Sequence, residues 1–213
     1  MRAGLQTPCT AFKGPRCIAA GELADVALKA KTAVDKGEHV LIFDDTTSES
    51  IEVDFRGSAE DVLRRLAQTD GNQATPDGPR GPGRPKLGVV AREITLLPRH
   101  WDWLNAQPGG ASVGLRKLVE EARRANGGKD RVRQSQEAAY RFISIMAGNR
   151  PGFEEAMRAL FAGHRDRFDQ LIAPWPKDVR HHARKLAADA LDAQPRNAAL
   201  EIVNGDEPAA RVI

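Results

Sequence analysis

Eight glycine and proline residues crowd positions 71 to 85 of this 213-residue chain, and almost no apolar residue lies among them. Proline lacks a backbone N–H donor, and ordering glycine costs more entropy than ordering any other residue, so neither a helix nor a strand is stable across such a stretch. The sequence therefore predicts a flexible arm at residues 69–88 that separates an N-terminal from a C-terminal part.

The first 68 residues are predicted to form a small α+β domain. Short apolar segments bounded by Gly, Pro and Asp are typical of strands, and apolar residues at helical spacing indicate helices. Ser58 stands where it would cap the second of these helices. Strands are expected at residues 9–12, 17–20, 39–43 and 51–55, with helices at 23–34 and after Ser58.

A helical domain is predicted at residues 132–191, because apolar residues recur there with helical spacing between Pro and Gly residues that would end each helix. The periodicity then stops, so residues 192–213 are expected to form a mobile tail. Four helices are expected, at residues 132–147, 152–162, 164–172 and 176–190.

A different pattern lies between these two domains. Residues 92–97 alternate as in a short strand, and they are followed by Pro98, which suits the first turn of a helix. Pro108, Gly109 and Gly110 would end this first helix. A second helix is expected to begin at an N-cap formed by Ser112 and to end at Gly127 and Gly128.

A module of this size, residues 89–128, cannot bury the apolar faces of its own strand and helices. This favours a homodimer in which the strand of one chain pairs with the strand of a second. The side chains expected at the dimer interface are Ile94, Leu96, Trp101, Leu104, Leu115, Leu118 and Val119.

The order of strand, helix, glycine turn and helix resembles the ribbon-helix-helix family, with matches in Ile94-Thr95-Leu96, Trp101, Leu104, Gly110, Ser112, Leu115-Arg116 and Val119. The resemblance implies that two chains form an antiparallel ribbon that enters the major groove of DNA. It also implies that backbone N–H groups at Ala111, Ser112 and Val113 hold a phosphate. The acidic Glu93 departs from the family pattern, since it would face the groove beside Thr95. We therefore expect the ribbon to serve dimerisation first and base recognition second.

Positive charge is concentrated in the same region. Residues 80–133 hold 12 Lys and Arg against 5 Asp and Glu, whereas residues 1–79 hold 9 against 13 and residues 134–213 hold 11 against 11. Such a local excess is typical of a surface that binds phosphates.

Within the arm, Gly83-Arg84-Pro85 resembles the core of the AT-hook, in which an arginine lies in the minor groove of A·T-rich DNA. Pro82 interrupts the usual run, and a solvated linker is the alternative interpretation. The residues expected to contact DNA are Arg80, Arg84, Lys86, Arg92, Thr95, Ser112, Val113, Arg116 and Lys117.

The stretch from Gly81 to Leu104, with the sequence GPGRPKLGVVAREITLLPRHWDWL, is similar to the signature of an uncharacterised bacterial domain family. The similarity extends from about residue 9 to residue 190. It implies that the chain is a single architectural unit, and it gives no indication of a substrate.

Enzyme signatures are absent from the sequence. It contains no glycine-rich phosphate loop followed by Lys and Ser or Thr, no nucleophile elbow and no His-Glu-x-x-His helix. Cys9 and Cys17 are too few for a disulfide framework or a structural zinc site, so neither a metal nor a cofactor is expected. Neither an apolar run of about 18 residues nor a secretory signal is present, which favours a cytoplasmic protein that does not enter membranes.

The sequence as a whole predicts an α+β protein with a small N-terminal α/β sheet unit, a central ribbon-helix-helix-like dimerising module and a C-terminal helical domain. We expect a bacterial, cytoplasmic DNA-binding homodimer, such as a transcriptional regulator. The alternative is a non-enzymatic protein-interaction or adaptor module that uses the strand only to dimerise.

Overall fold

The computed structural model describes residues 3–71, residue 90 and residues 92–192. Most of the predicted arm and nearly all of the predicted tail lie outside these ranges. The mixed α/β class is confirmed. The strands are β1 (Pro8–Lys13), β2 (Arg16–Glu22) and β3 (Val40–Asp44), and the helices are α1 (Leu23–Val34), α2 (Ala59–Gly71), α3 (Pro98–Asn105), α4 (Gly110–Ala147), α5 (Phe153–Phe161), α6 (Arg165–Ile172), α7 (Lys177–Leu186) and α8 (Ala188–Asp192).

The three strands form an antiparallel sheet in the order β2-β1-β3, and both faces of the central strand β1 are covered. Cys9 and Ala11 pack in a core with α1, whereas Phe12 belongs to a second core formed with the C-terminal helices. Successive side chains of a strand point to opposite faces. This is why all four residues from Cys9 to Phe12 are buried.

The strand predicted at residues 51–55 is not formed. The preceding residue, Ser50, forms a bridge with Phe43, and the Ile51 N–H donates to the Ile42 carbonyl at 2.8 Å before the chain leaves the sheet. The carbonyl groups of this segment bind side chains instead: Lys31 Nζ donates to Phe55 O at 3.2 Å, and Arg65 Nη2 donates to Asp54 O at 2.8 Å. The backbone acceptors that a fourth strand would need are thus used by α1 and α2.

The helix predicted to end at Gly127 and Gly128 does not end there. It forms one helix with the helix predicted at 132–147, and this helix, α4, is 38 residues long. Each glycine in a helix interior costs about 1 kcal/mol relative to alanine, which weakens a helix without ending it. Alanine, arginine and lysine surround this pair and favour the helical state. The second half of α4 is held by tertiary packing, since Ala138, Ala139 and Phe142 are buried.

The other predicted helices of this region agree with the structure within a few residues, as α5, α6 and α7. The one predicted at 176–190 is divided at Ala187 into α7 and α8. The cap predicted at Ser58 is confirmed, because Ser58 Oγ accepts from the Asp61 backbone N–H at 3.2 Å and Asp61 Oδ2 accepts from the Ser58 N–H at 3.0 Å. Such reciprocal bonds satisfy two backbone donors that a helix start leaves free.

Four rings join the sheet to the C-terminal helices. Phe142 of α4 lies 5.3 Å from Phe12 of β1, 5.2 Å from Phe43 of β3 and 4.5 Å from His182 of α7, measured between ring centroids. The three phenylalanines are fully buried or nearly so. Aromatic rings bury large apolar areas and favour tilted or edge-to-face contacts of this kind. This ring cluster makes the sheet and the C-terminal helices one packed body.

A polar contact lies beside the ring cluster, between Asp45 after β3 and the helix α7. Asp45 Oδ1 accepts from Thr10 Oγ1 at 2.6 Å, and Asp45 Oδ2 accepts from Lys185 Nζ at 2.6 Å. The buried Nε2 atom of His182 lies 3.9 Å from Asp45 Oδ1 and has no hydrogen-bond partner among the described residues. Burial lowers the pKa of His182 to about 4, although the Asp45 carboxylate opposes this shift.

The lowered pKa of His182 predicts a loss of stability in mild acid. A free histidine has a pKa of about 6.5, so the unfolded chain binds a proton between about pH 6.5 and pH 4 that the folded protein excludes. His182 therefore does not lower the free energy of unfolding above about pH 6.5, and it lowers it by about 3 kcal/mol when the pH falls to 4. Denaturant unfolding at several pH values should show this decline in the free energy of unfolding.

The variant His182→Leu should flatten the pH dependence in this window, whereas His100→Leu, at an exposed position of α3, should leave it unchanged. An equal decline in wild type and His182→Leu would show that another group causes it.

Candidate nucleic-acid interface

The first part of α4 and the short helix α3 form a hairpin, residues 98–128, which we call the helical arm. Neither core contains a residue of this arm. Its buried residues are Leu104 of α3 and Gly114 of α4, which face each other. A Cβ atom at Gly114 would lie 3.3 Å from Leu104 Cδ2, so this glycine allows the two helices to approach closely.

The turn of the arm depends on two glycines, as the sequence predicts. Gly109 has a φ of +87° and Gly110 a φ of +73°, a region that other residues rarely adopt. The prediction that Ser112 caps α4 is wrong, since the N-cap is Gly109 and no side chain caps the helix. Ser112 lies within the first turn, where its carbonyl accepts from Arg116 Nε at 3.0 Å.

The residues predicted for dimerisation differ widely in exposure within one chain. Leu104 is buried, and Leu96, Trp101 and Leu115 are half-buried. Ile94, Leu118 and Val119 are 48%, 42% and 64% exposed in the single chain, and their place at a dimer interface stays a prediction. The apolar side of α4 therefore continues beyond the part that α3 covers.

The segment 92–97, predicted to be the ribbon strand, belongs to no strand within the described residues. Its last residue, Leu97, has an extended backbone with φ −67° and ψ 149°, and Pro98 then starts α3 as predicted. Thr95 and Arg92 are exposed. Pairing of this segment between two chains stays a prediction.

The cationic side chains of the arm are exposed. Arg123 and Arg124 share Glu120 at 3.3 and 3.2 Å, whereas Arg116 and Lys117 have no acidic partner in the described part of the chain. Ion pairs exposed on a helix surface contribute little, typically below about 1 kcal/mol. These four side chains are therefore available to an anionic partner.

The helical geometry arranges these cations in rows. Lys117, Arg124 and Arg131 are seven residues apart, which places them about 20° apart in direction and about 10.5 Å apart along the axis. Arg116 and Arg123 form a neighbouring row. We call these five residues the basic face of α4.

The basic face and the apolar residues occupy different sides of the helix. The centre of the basic face lies roughly 150° around α4 from the side that carries Leu115, Leu118 and Val119. The arm thus presents an apolar side and a cationic side to solvent at the same time. The Lys117–Arg131 row was not predicted from the sequence, because the predicted end of the helix at Gly127 placed Arg131 outside it.

Three residues predicted to contact DNA, Arg80, Arg84 and Lys86, lie outside the described residues. The remaining ones, Arg92, Thr95, Ser112, Val113, Arg116 and Lys117, all lie in the arm or in the segment that leads into it. Val113 is half-buried against the turn, and the other five are exposed.

Among the described residues, no group of three His, Cys, Asp or Glu side chains is arranged to hold a metal ion. Cys9 is buried, Cys17 is exposed, and both are free thiols. None of the helices in the described ranges combines the length and apolarity needed to cross a membrane.

A comparison with known protein families finds one whose model matches residues 8–187, described as an uncharacterized protein conserved in bacteria, DUF2239. No curated protein matches this chain, and no solved structure does.

The turn of the arm can be tested with Gly109→Ala. A side chain in this left-handed conformation costs about 1–2 kcal/mol, and the new Cβ would lie 3.1 Å from the Val113 side chain. We expect faster hydrogen exchange at the amides of α3 with unchanged exchange in the ring cluster. The control Gly127→Ala, at a helical position with no atom within 4 Å of a new Cβ, should instead slow exchange in α4. Unchanged exchange of α3 in Gly109→Ala would contradict the role of this turn.

Proposed function

Since this chain belongs to the bacterial family DUF2239, we propose for it a function that its own geometry favours: DNA binding by a homodimer, through the basic face of α4. The observation that carries this proposal is the uninterrupted helix α4, on which Lys117, Arg124 and Arg131 point in nearly one direction. A row of exposed cations attracts the closely spaced phosphates of a duplex and releases the counterions bound there. A role in transcriptional regulation would follow from this binding.

Two further contacts support the proposal. The first turn of α4 has no side-chain cap, so backbone N–H groups at Ala111, Ser112 and Val113 can donate to a phosphate. Arg80, Arg84 and Lys86, which belong to the predicted Gly- and Pro-rich segment 69–88, precede the segment 92–97 closely in sequence. Their AT-hook-like pattern would add contacts in the minor groove.

The dimer is proposed to form on the opposite side of the arm. Leu118 and Val119 are exposed next to the half-buried Leu115, and Ile94 is exposed in the segment that lacks a strand partner within the described chain. A second copy can cover these residues by pairing the segment 92–97 into an antiparallel ribbon, as in the ribbon-helix-helix arrangement. The basic faces of both copies would then remain exposed.

DNA binding can be measured by fluorescence anisotropy with a labelled A·T-rich duplex over a range of salt concentrations. The double variant Lys117→Gln and Arg124→Gln should bind more weakly and lower the slope of log affinity against log salt by about 1 for each cation removed. The matched control removes two exposed cations of other helices, Arg158→Gln and Arg167→Gln, and should bind like the wild type. Absence of binding to DNA at low salt would refute the proposal.

The dimer can be tested by light scattering coupled to gel filtration. Leu118→Gln combined with Val119→Gln should shift a wild-type dimer to the monomer, because polar side chains remove the apolar area that pairing would bury. Ile145→Gln, at a position of α4 that is 54% exposed and lies outside the arm, should leave the dimer intact. A strictly monomeric wild type excludes the paired ribbon. An intact dimer without DNA affinity would instead support the adaptor function that the exposed apolar residues also suit.

A further inference from the structure

A cavity of about 670 Å³ lies where α4 leaves the arm and meets the ends of α5 and α8. One wall is a single side of α4, with Lys129, Val132 and Gln136 at helical spacing. Phe161 at the end of α5 and Asp189 of α8 line the other sides. The volume falls in the range of about 300–1,000 Å³ that is typical of sites for small molecules.

Two adjacent side chains of α4 hold the walls of this cavity in place. Gln136 Nε2 donates to the Phe161 carbonyl at 3.3 Å, which ties α4 to the end of α5. The buried Ser135 Oγ donates to the Leu186 carbonyl at 2.6 Å and accepts from the Ala190 N–H at 3.1 Å, which ties α4 to α7 and α8. Buried and satisfied hydrogen bonds of this kind make a polar site rigid. The cavity is therefore formed before any ligand enters.

The charges at the cavity are divided between paired and free groups. Arg133 is paired with Asp130 at 3.0 Å, and Asp192 is paired with Arg165 at 2.5 Å. Lys129 and Arg131 also line the cavity and have no acidic partner among the described residues. Lys129 lies on the same side of α4 as Val132 and Gln136, whereas Arg131 points about 160° away around the helix, with the basic face. A free cation on this wall favours a ligand with an anionic group, because charge-assisted hydrogen bonds to carboxylate, sulfonate or phosphate are the strong ones.

An aromatic ring, that of Phe161 at the end of α5, also lines the cavity. Phe161 is 52% exposed, although its helix buries the neighbouring Ala159 and Leu160. Its ring lies 6.1 Å from that of Tyr140, which limits its freedom on one side. An exposed and oriented ring offers a planar apolar surface on which a second ring can stack.

We propose that this cavity binds a small organic anion that carries an aromatic ring. The anionic group binds Lys129, and the ring packs on Phe161. Asp189, which is exposed at the rim and has no ion-pair partner among the described residues, accepts a hydrogen bond from a polar substituent of the ligand. This site is separate from the dimer surface and does not rest on DNA binding by α4.

The proposal can be tested with the fluorescent aromatic sulfonate 1-anilinonaphthalene-8-sulfonate as the probe, added to the full chain. Lys129→Gln should weaken binding of the probe by about tenfold, as expected for the loss of one charge-assisted hydrogen bond. Phe161→Ala should weaken it as well, and the uncharged N-phenyl-1-naphthylamine should bind Lys129→Gln and wild type equally. The matched control Lys177→Gln removes an exposed lysine at the start of α7 and should leave the affinity for the sulfonate unchanged.

The exposed apolar side of the arm is the competing site for such a probe. Wild-type affinity in both Lys129→Gln and Phe161→Ala would overturn the proposal, as would a loss of probe binding caused only by Leu118→Gln with Val119→Gln. All these variants alter residues that are exposed in the folded chain, and equal thermal unfolding midpoints would verify that each one folds.

Discussion

The contact of Phe142 with Phe12, Phe43 and His182 is the interaction on which the rest of this structure depends. It joins four elements that are apart in sequence: the strands β1 and β3 of the sheet and the helices α4 and α7. The central strand can bury both faces only because α1 covers one and this cluster covers the other. The cluster also accounts for the neutral His182, since a charged imidazole among phenylalanine rings would lose its hydration.

Fixing the second half of α4 in this core determines where its first half lies. An α-helix is stiff over this length, so an anchored end positions the other end at a distance from the core. The arm is therefore a continuation of a buried helix rather than a separate loop. Among the described residues, its close partner is α3, which covers Gly114 and leaves Leu118 and Val119 exposed.

The helix α4 consequently has three successive parts with different surroundings. Residues 110–128 form the arm, with apolar and basic sides. Residues 129–136 form a wall of the cavity, and residues 138–147 belong to the core. Arg131 contributes both to the basic face and to the cavity. The cavity and the basic face thus belong to one helix, but the two proposals rest on different side chains: Lys129 with Phe161 for the cavity, and the Lys117–Arg131 row for DNA.

Local signals in the sequence predicted much of the secondary structure. Helical periodicity located α1, α5 and α6 within a few residues, and Ser58 and Pro98 marked the starts of α2 and α3. Caps, proline and the positive φ of a glycine turn act through bonds to near neighbours, so they can be recognised without knowing the fold. The charge excess of residues 80–133 was equally visible, because it requires only a count.

The sequence by itself thus determined where most helices begin, where the turn of the arm lies and which part of the chain is basic. The tertiary structure alone decided that residues 51–55 leave the sheet, because side chains of α1 and α2 bind their carbonyl groups. It also decided that Gly127 and Gly128 continue a helix, since packing of residues 138–147 outweighs a local cost of about 1 kcal/mol for each glycine. Which apolar faces are covered depends on the elements that meet in space, and periodicity alone carries no information about that.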